Sequence, residues 1–173
     1  MEFKNETTYN QKAVTAMAKA LRKTIRKKRS KRSHIFGWIV VILALLLSFV
    51  PGEEGFQITF KTVVTWLVTV LLFLVLIWED WLNGYIARRR LLPGTEKVTT
   101  RFDEDGYYSE SEFGKSEWKY EKIQRIAELK GYFVFIFNMS HAQVYNKRHL
   151  KGGSVDEFRG FLEEMTGKAV EKI

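Results

Sequence analysis

Two uninterrupted apolar runs divide the chain. Ile35 to Val50 reads IFGWIVVILALLLSFV, uncharged and with Ser48 as its one strongly polar residue. At 1.5 Å per residue this run covers about 24 Å of a hydrocarbon layer about 30 Å thick; Trp38 at its edge and modest bilayer thinning absorb the difference. Thr62 to Trp78 is the second run, and Trp78, Trp81 and Tyr85 form an aromatic belt at its far end. Between them, Pro51-Gly52-Glu53-Glu54-Gly55 is a turn of helix breakers and acids, and Lys61 at the lip of the second run can snorkel outward. The pattern predicts a transmembrane hairpin over 34–92, with spans at about 35–50 and 62–78. A cleaved signal peptide does not fit: no A-x-A site follows the first run, and a second apolar run comes straight after it.

The flanks follow other periods. Within an N-terminal segment over 1–33, Ala13, Met17, Leu21 and Ile25 recur at four-residue steps, which predicts an amphipathic helix from Tyr9 to Arg32. After Pro93-Gly94 a strand-rich domain over 93–173 begins. Val98, Thr100 and Phe102 alternate with polar residues, and Asp103-Glu104-Asp105-Gly106 turns the chain into Tyr107-Tyr108-Ser109. Gly114 marks another turn, Ile123 to Leu129 a helical turn leading into a strand, and Lys130-Gly131 a tight hairpin before Tyr132 to Phe137. Ala142 to Tyr145 is a further short strand. Ser154 caps the closing helix to Thr166, with Glu157 at the capping-box position and Gly167 as its stop. Its apolar face is Val155, Phe158, Phe161, Leu162 and Met165. The fold class is therefore an α+β membrane protein: a two-helix transmembrane hairpin plus a cytoplasmic antiparallel β-sheet or barrel module closed by a C-terminal α-helix. Met1 to Tyr9 is β-compatible around Phe3 and could supply a strand to that sheet.

Charge adds an orientation. The net charge is +8, yet residues 1–33 alone hold eleven Lys and Arg against two Glu. Basic residues precede the first span and Arg88-Arg89-Arg90 follow the second, while the connecting loop has none before Lys61, so both ends are expected in the cytoplasm. Arg22, Lys23, Arg26, Lys27, Lys28, Arg29, Lys31, Arg32, Arg88, Arg89 and Arg90 are the candidate contacts to anionic headgroups, each contributing about 1 kcal/mol near the surface. A solvated helix face is the plainer reading, and a nucleic-acid role for Lys27 to Arg32 ranks last because the bilayer lies so near. Between the spans, Gly37, Ala44 and Ser48 form one small-residue stripe and Thr62, Thr65 and Thr69 another. Such stripes let helices approach and hydrogen-bond across. They are expected to face each other, or else a second copy in a homo-oligomer.

Chemistry is sparse. Without cysteine there is no disulfide, thiolate nucleophile or thiolate metal site. A metal held by His141 and His149 lacks any ligand spacing, and His34 reads as interfacial. Glu79-Asp80 suggests an ion-pair network fixing helix depth, and neither span carries an internal charge for a transport path. No phosphate loop, dinucleotide fingerprint or nucleophile elbow is present. No cofactor is implied.

Phe102 with Asp105-Gly106, Gly114 with Trp118, Ile123 with Ile126 and Glu128, Tyr132-Phe133-Val134, Lys147-Arg148, and Phe158 to Leu162 resemble the YcxB-like family of bacterial membrane proteins. One departure is Asn146, where that family tends to have proline. The resemblance implies two spans and a C-terminal module similar to pleckstrin-homology-like (PH-like) folds, which bind lipids or proteins. The acidic Asp103–Gly106 turn opposes phosphoinositide recognition, so protein binding leads. The expectation is a bacterial inner-membrane protein with a non-catalytic binding or scaffold module; the alternatives are an immunity protein binding a toxin or peptide, and an enzyme with a cryptic cytoplasmic site.

Overall fold

The computed structural model describes residues 2–51, 55 and 57–173, so of the breaker turn only Pro51 and Gly55 fall within it. The chain divides into two units, Met1–Lys27 with Asp80–Ile173, and Lys28–Glu79. Residues ahead of the apolar helices therefore fold together with residues behind them.

In the first unit, β1 (Phe3–Thr8) leads into α1 (Gln11–Lys23), which Asn10 caps by accepting from the Ala13 N–H. After the helices come α4 (Glu79–Arg89), β2 (Lys97–Phe102), β3 (Tyr107–Ser111) and β4 (Gly114–Trp118). A 3-10 turn at Tyr120–Lys122 precedes β5 (Arg125–Leu129), β6 (Tyr132–Ile136) and β7 (Ala142–Asn146). β8 (Leu150–Lys151), α5 (Val155–Thr166) and β9 (Val170–Lys172) close the chain.

These strands make two sheets, in the orders β4-β3-β2-β1-β8 and β7-β6-β5-β9. The barrel alternative does not hold, because the sheets are not joined by strand pairing. At the β7 edge, side chains take the place of a neighbouring strand. The Asn146 N–H donates to Thr7 Oγ1 (3.0 Å), and its carbonyl accepts from Asn5 Nδ2 (2.8 Å). Proline at position 146 would lack that N–H. The second sheet is also mixed, since β9 runs parallel to β5.

β1 is an interior strand, paired with β2 from Phe3↔Phe102 to Thr8↔Lys97 and with β8 on its other side. Between the sheets and α5 lies an aromatic core that includes Phe3, Phe102, Tyr107, Phe135 and Phe158. On the other face of the second sheet, Ala13, Ala16, Ala20 and Leu21 of α1 pack on Ala127, Leu129, Val134, Ile136 and Val144. The continuous apolar run of β6 follows from this, because both of its faces are covered. The stripe of Ala13, Met17, Leu21 and Ile25 thus packs on a sheet. The helix read to Arg32 stops at Lys23, where Thr24 leaves helical geometry and returns its hydroxyl to the Ala20 carbonyl.

The second unit pairs α2 (Lys27–Ser48) with α3 (Phe60–Ile77), each long and apolar enough to cross a membrane. A Cβ on Gly37 would stand 2.6 Å from a Leu76 methyl, and Trp66 Nε1 donates to Ser48 Oγ at 3.0 Å, so the helices run antiparallel. Val41 and Thr69 are buried, while residues such as Leu46, Leu47, Leu67 and Leu71 are exposed.

Candidate binding cleft

The register of the first sheet sorts its inner face into rows. Phe3, Phe102, Tyr107 and Trp118 stand side by side across β1 to β4. Two residues along each strand, and so on the same face, the next row is Asn5, Thr100, Ser109 and Ser116. Beyond it come Thr7 beside Val98 and Ser111 beside Gly114. The aromatic row joins the core; in the polar rows Asn5 and Thr7 of β1 bond to Asn146 of the opposite sheet, while Thr100 and Ser109 bond to each other. A cleft of about 490 Å³ opens over them, with Ser140 to Tyr145 as its far wall and Tyr9 and Met17 at its side.

The polar groups here satisfy one another. Thr100 Oγ1 and Ser109 Oγ lie 3.1 Å apart, and the Tyr107 and Tyr145 hydroxyls donate to Gln143 Oε1 at 2.8 and 2.7 Å. Tyr9 hydrogen-bonds to the Val144 backbone, and burial pushes its phenol up to about 12. Burial raises Tyr107 and Tyr145 as well, so these phenols are neutral at ordinary pH. Among the described residues, no Lys, Arg, Asp or Glu lines the cleft. At its mouth, Trp118 stacks on His141 with ring centroids 5.7 Å apart. His149 instead sits on β1, its Nδ1 2.9 Å from the Glu6 carbonyl, and no group of three or more metal-ligating side chains gathers among the described residues. This arrangement suits an uncharged ligand; an anion would meet no countercharge.

A buried ion cluster lies outside the cleft and escapes sequence reasoning as a unit. Glu128 of β5 meets Lys147 Nζ at 2.6 Å and Arg159 of α5 at 2.6 and 2.8 Å. The Arg159 guanidinium is the main cause holding the Glu128 carboxyl down at about 2, against the opposing effect of burial. Glu128 and Lys147 carry the family resemblance, and alternation in β5 hints that Glu128 points inward; Arg159 gives no such signal. The cluster ties three elements together.

The candidate lipid contacts separate. Arg22 forms a bidentate pair with Asp80 (2.6 Å for each bond), and Arg26 Nε donates to the Met139 carbonyl. His34 lies 3.3 Å from Glu79, so the Glu79-Asp80 pair engages Arg22 and His34. Lys23, Lys27, Lys28, Arg29, Lys31, Arg32, Arg88, Arg89 and Arg90 are exposed, with Arg89 over the Tyr85 ring. In the helix pair, Gly37 and Ser48 meet α3 while Ala44 is half-buried. The threonine hydroxyls do not bond across: Thr65 and Thr69 donate to the Lys61 and Thr65 carbonyls of their own helix, and Thr62 belongs to the capping box with Thr59. Threonine within a helix readily returns its hydroxyl to the i−4 carbonyl.

These features define an α+β protein in which two apolar, membrane-length helices interrupt a two-sheet unit. Residues 102–162 match the family model described as YcxB-like protein, as the sequence resemblance anticipated. The match runs from the end of β2 to Leu162 of α5, and so holds the Glu128 cluster and one wall of the cleft, but not β1, α1 or the apolar helices. No curated protein and no solved structure matches the chain.

Proposed function

We propose that α2 and α3 cross a bacterial inner membrane as a hairpin, and that the two-sheet unit is a cytoplasmic, PH-like, non-catalytic binding module. Its cleft takes an uncharged segment of a protein partner. The cleft is the observation that carries this reading: hydroxyls occupy a sheet face that would otherwise be filled by core, and among the described residues no Lys, Arg, Asp or Glu lines the space. The outward apolar surface of both helices supports insertion, since a soluble protein would cover it. Pairing of β1 with β2 supports an even number of crossings, because residues 3–8 and 97–102 must share a compartment. The flanking Lys and Arg assign that compartment to the cytoplasm.

The test places a photo-crosslinking residue at Ser116 in the full chain in native membranes. A discrete adduct, lost when Ser109→Phe fills the cleft and weakened by Thr100→Val, supports the reading. An adduct indifferent to both changes in folded protein, or substrate turnover abolished by His141→Ala, overturns it.

A further inference from the structure

Helix α4 is covered along one side only. Asp80 is held by Arg22, and the Trp81 carbonyl accepts from Gln11 Nε2 at 3.2 Å. Gly84 lies so close to α1 that a Cβ would stand 2.9 Å from Thr15 Cα. The other side presents Trp81, Tyr85 and Ile86. Trp81 and Tyr85 stack with centroids 5.5 Å apart, and the Arg89 guanidinium lies 4.9 Å from the Tyr85 centroid. Beyond the helix, Leu92 and Phe113 are 68% and 69% exposed. Phe113 is the tip of the β3–β4 turn, and a Cβ on Gly94 would stand 2.5 Å from its ring, so the tip lies beside the loop that follows α4.

Two features name the occupant of this face. α3 ends at Ile77 and α4 begins at Glu79, so the aromatic side chains follow directly on a membrane-length apolar helix. The face combines Trp and Tyr with Arg88, Arg89 and Arg90, which outnumber the one acid at the tip, Glu112. Amphipathic rings and guanidinium groups together fit a headgroup layer containing anionic lipid.

We propose that α4 lies in the lipid headgroup layer as part of the two-sheet unit, its Trp81–Tyr85–Ile86 side inserted, and that Phe113 of the β3–β4 turn enters the same layer. The inference rests on the reading of α2 and α3 as spans. It differs from an aromatic belt at the end of a continuous span, because α4 is a separate helix packed on α1, and a second, unconnected loop joins the contact.

Because the chain has no native cysteine, single-cysteine spin labels can measure immersion in the full-length protein. Tyr85→Cys, Ile86→Cys and Phe113→Cys would be labelled in phosphatidylcholine vesicles with a minority of phosphatidylglycerol, beside Leu71→Cys as a span reference and Gly160→Cys as a water reference. Collision with oxygen and with a water-soluble nickel chelate would be compared. The expected result is that labels at 85, 86 and 113 are severalfold more protected from the chelate than at 160 and favour oxygen, as at 71. Immersion at 71 with positions 85 and 86, or position 113, as open to the chelate as 160 overturns the docking face and leaves the spans standing. Failure at 71 overturns the span reading and this one together. Spin–spin broadening between copies at 113 means a second chain covers the face, and likewise overturns it.

Discussion

Replacing Phe3 with alanine tests whether the first strand belongs to the core. Phe3 is 0% exposed, its ring lies 5.0 Å from Phe158 and 5.2 Å from Phe161, and its backbone pairs with Phe102. Its removal leaves a ring-sized void bounded by α5 and two neighbouring strands, for which about 3–5 kcal/mol is the usual loss. Domains are stable by about 5–15 kcal/mol, so this one change takes a large share. At about 1.4 kcal/mol per factor of ten, the population of the opened unit rises at least about 100-fold. The readout is alkylation of a thiol placed at the fully buried Val134, a near-isosteric substitution in β6, followed in the full-length protein in vesicles or detergent. Phe3→Ala should raise the labelling rate in that proportion. Lys4→Ala, on the exposed side of the same strand, should change it by no more than about twofold. Equal rates for Phe3→Ala and Lys4→Ala would mean that β1 is not part of the core.

Three further expectations use the same probe or a crosslink. Glu128 is depressed from 4.5 to about 2, so its stabilisation, about 3 kcal/mol, is complete above pH 4.5 and lost as pH falls toward 2; Glu128→Gln should flatten that acid limb and destabilise at neutral pH by leaving Lys147 without its carboxylate and Arg159 with Asp156 alone, and an unchanged acid profile refutes the cluster's role. Gly84→Ala would ordinarily favour a helix by about 1 kcal/mol, but against the Thr15 backbone it should destabilise the unit; a stabilised Gly84→Ala protein would show that α4 does not pack on α1. The register set by Gly37 against Leu76 and Ser48 against Trp66 puts Ala44 level with Thr69, so Ala44→Cys with Thr69→Cys should crosslink within one chain, and bridges only between chains would transfer that interface to a second copy.

Elements governed by local chemistry were legible in the sequence. The capping box of Ser154 and Glu157, the left-handed Gly167 and the apolar face of α5 stand as the spacing predicts, and the turn at Asp103 is closed by its own carboxylate accepting from the Gly106 N–H. Pairings across long stretches of sequence were not. β8 and β9 are two and three residues long, below any pattern signal, and β9 is defined by its partner Ile126–Glu128. The narrow stripe of α1 is equally compatible with a lipid surface and a β-sheet; the sign that decided it lay elsewhere, in the unbroken apolar run of β6, which requires a second cover. Much the same holds for the cleft. Thr100, Ser109 and Ser116 look like ordinary outward strand residues until the register puts them in one row beside Phe102, Tyr107 and Trp118. The separation of α4 from α3 at Trp78 has no breaker residue to announce it.

The position of β1 also sets an order of events during synthesis. Phe3–Thr8 leaves the ribosome well before its partners Lys97–Phe102 and Leu150–Lys151, which come after both apolar helices. The strand therefore waits unpaired while some ninety residues are made, and the sheet closes around it once those partners emerge. Under the proposed topology, completion of the sheet thereby doubles as a check on insertion. A chain in which only one apolar helix entered the bilayer would hold the first strand and its partners on opposite sides, and the sheet would lack its interior strand.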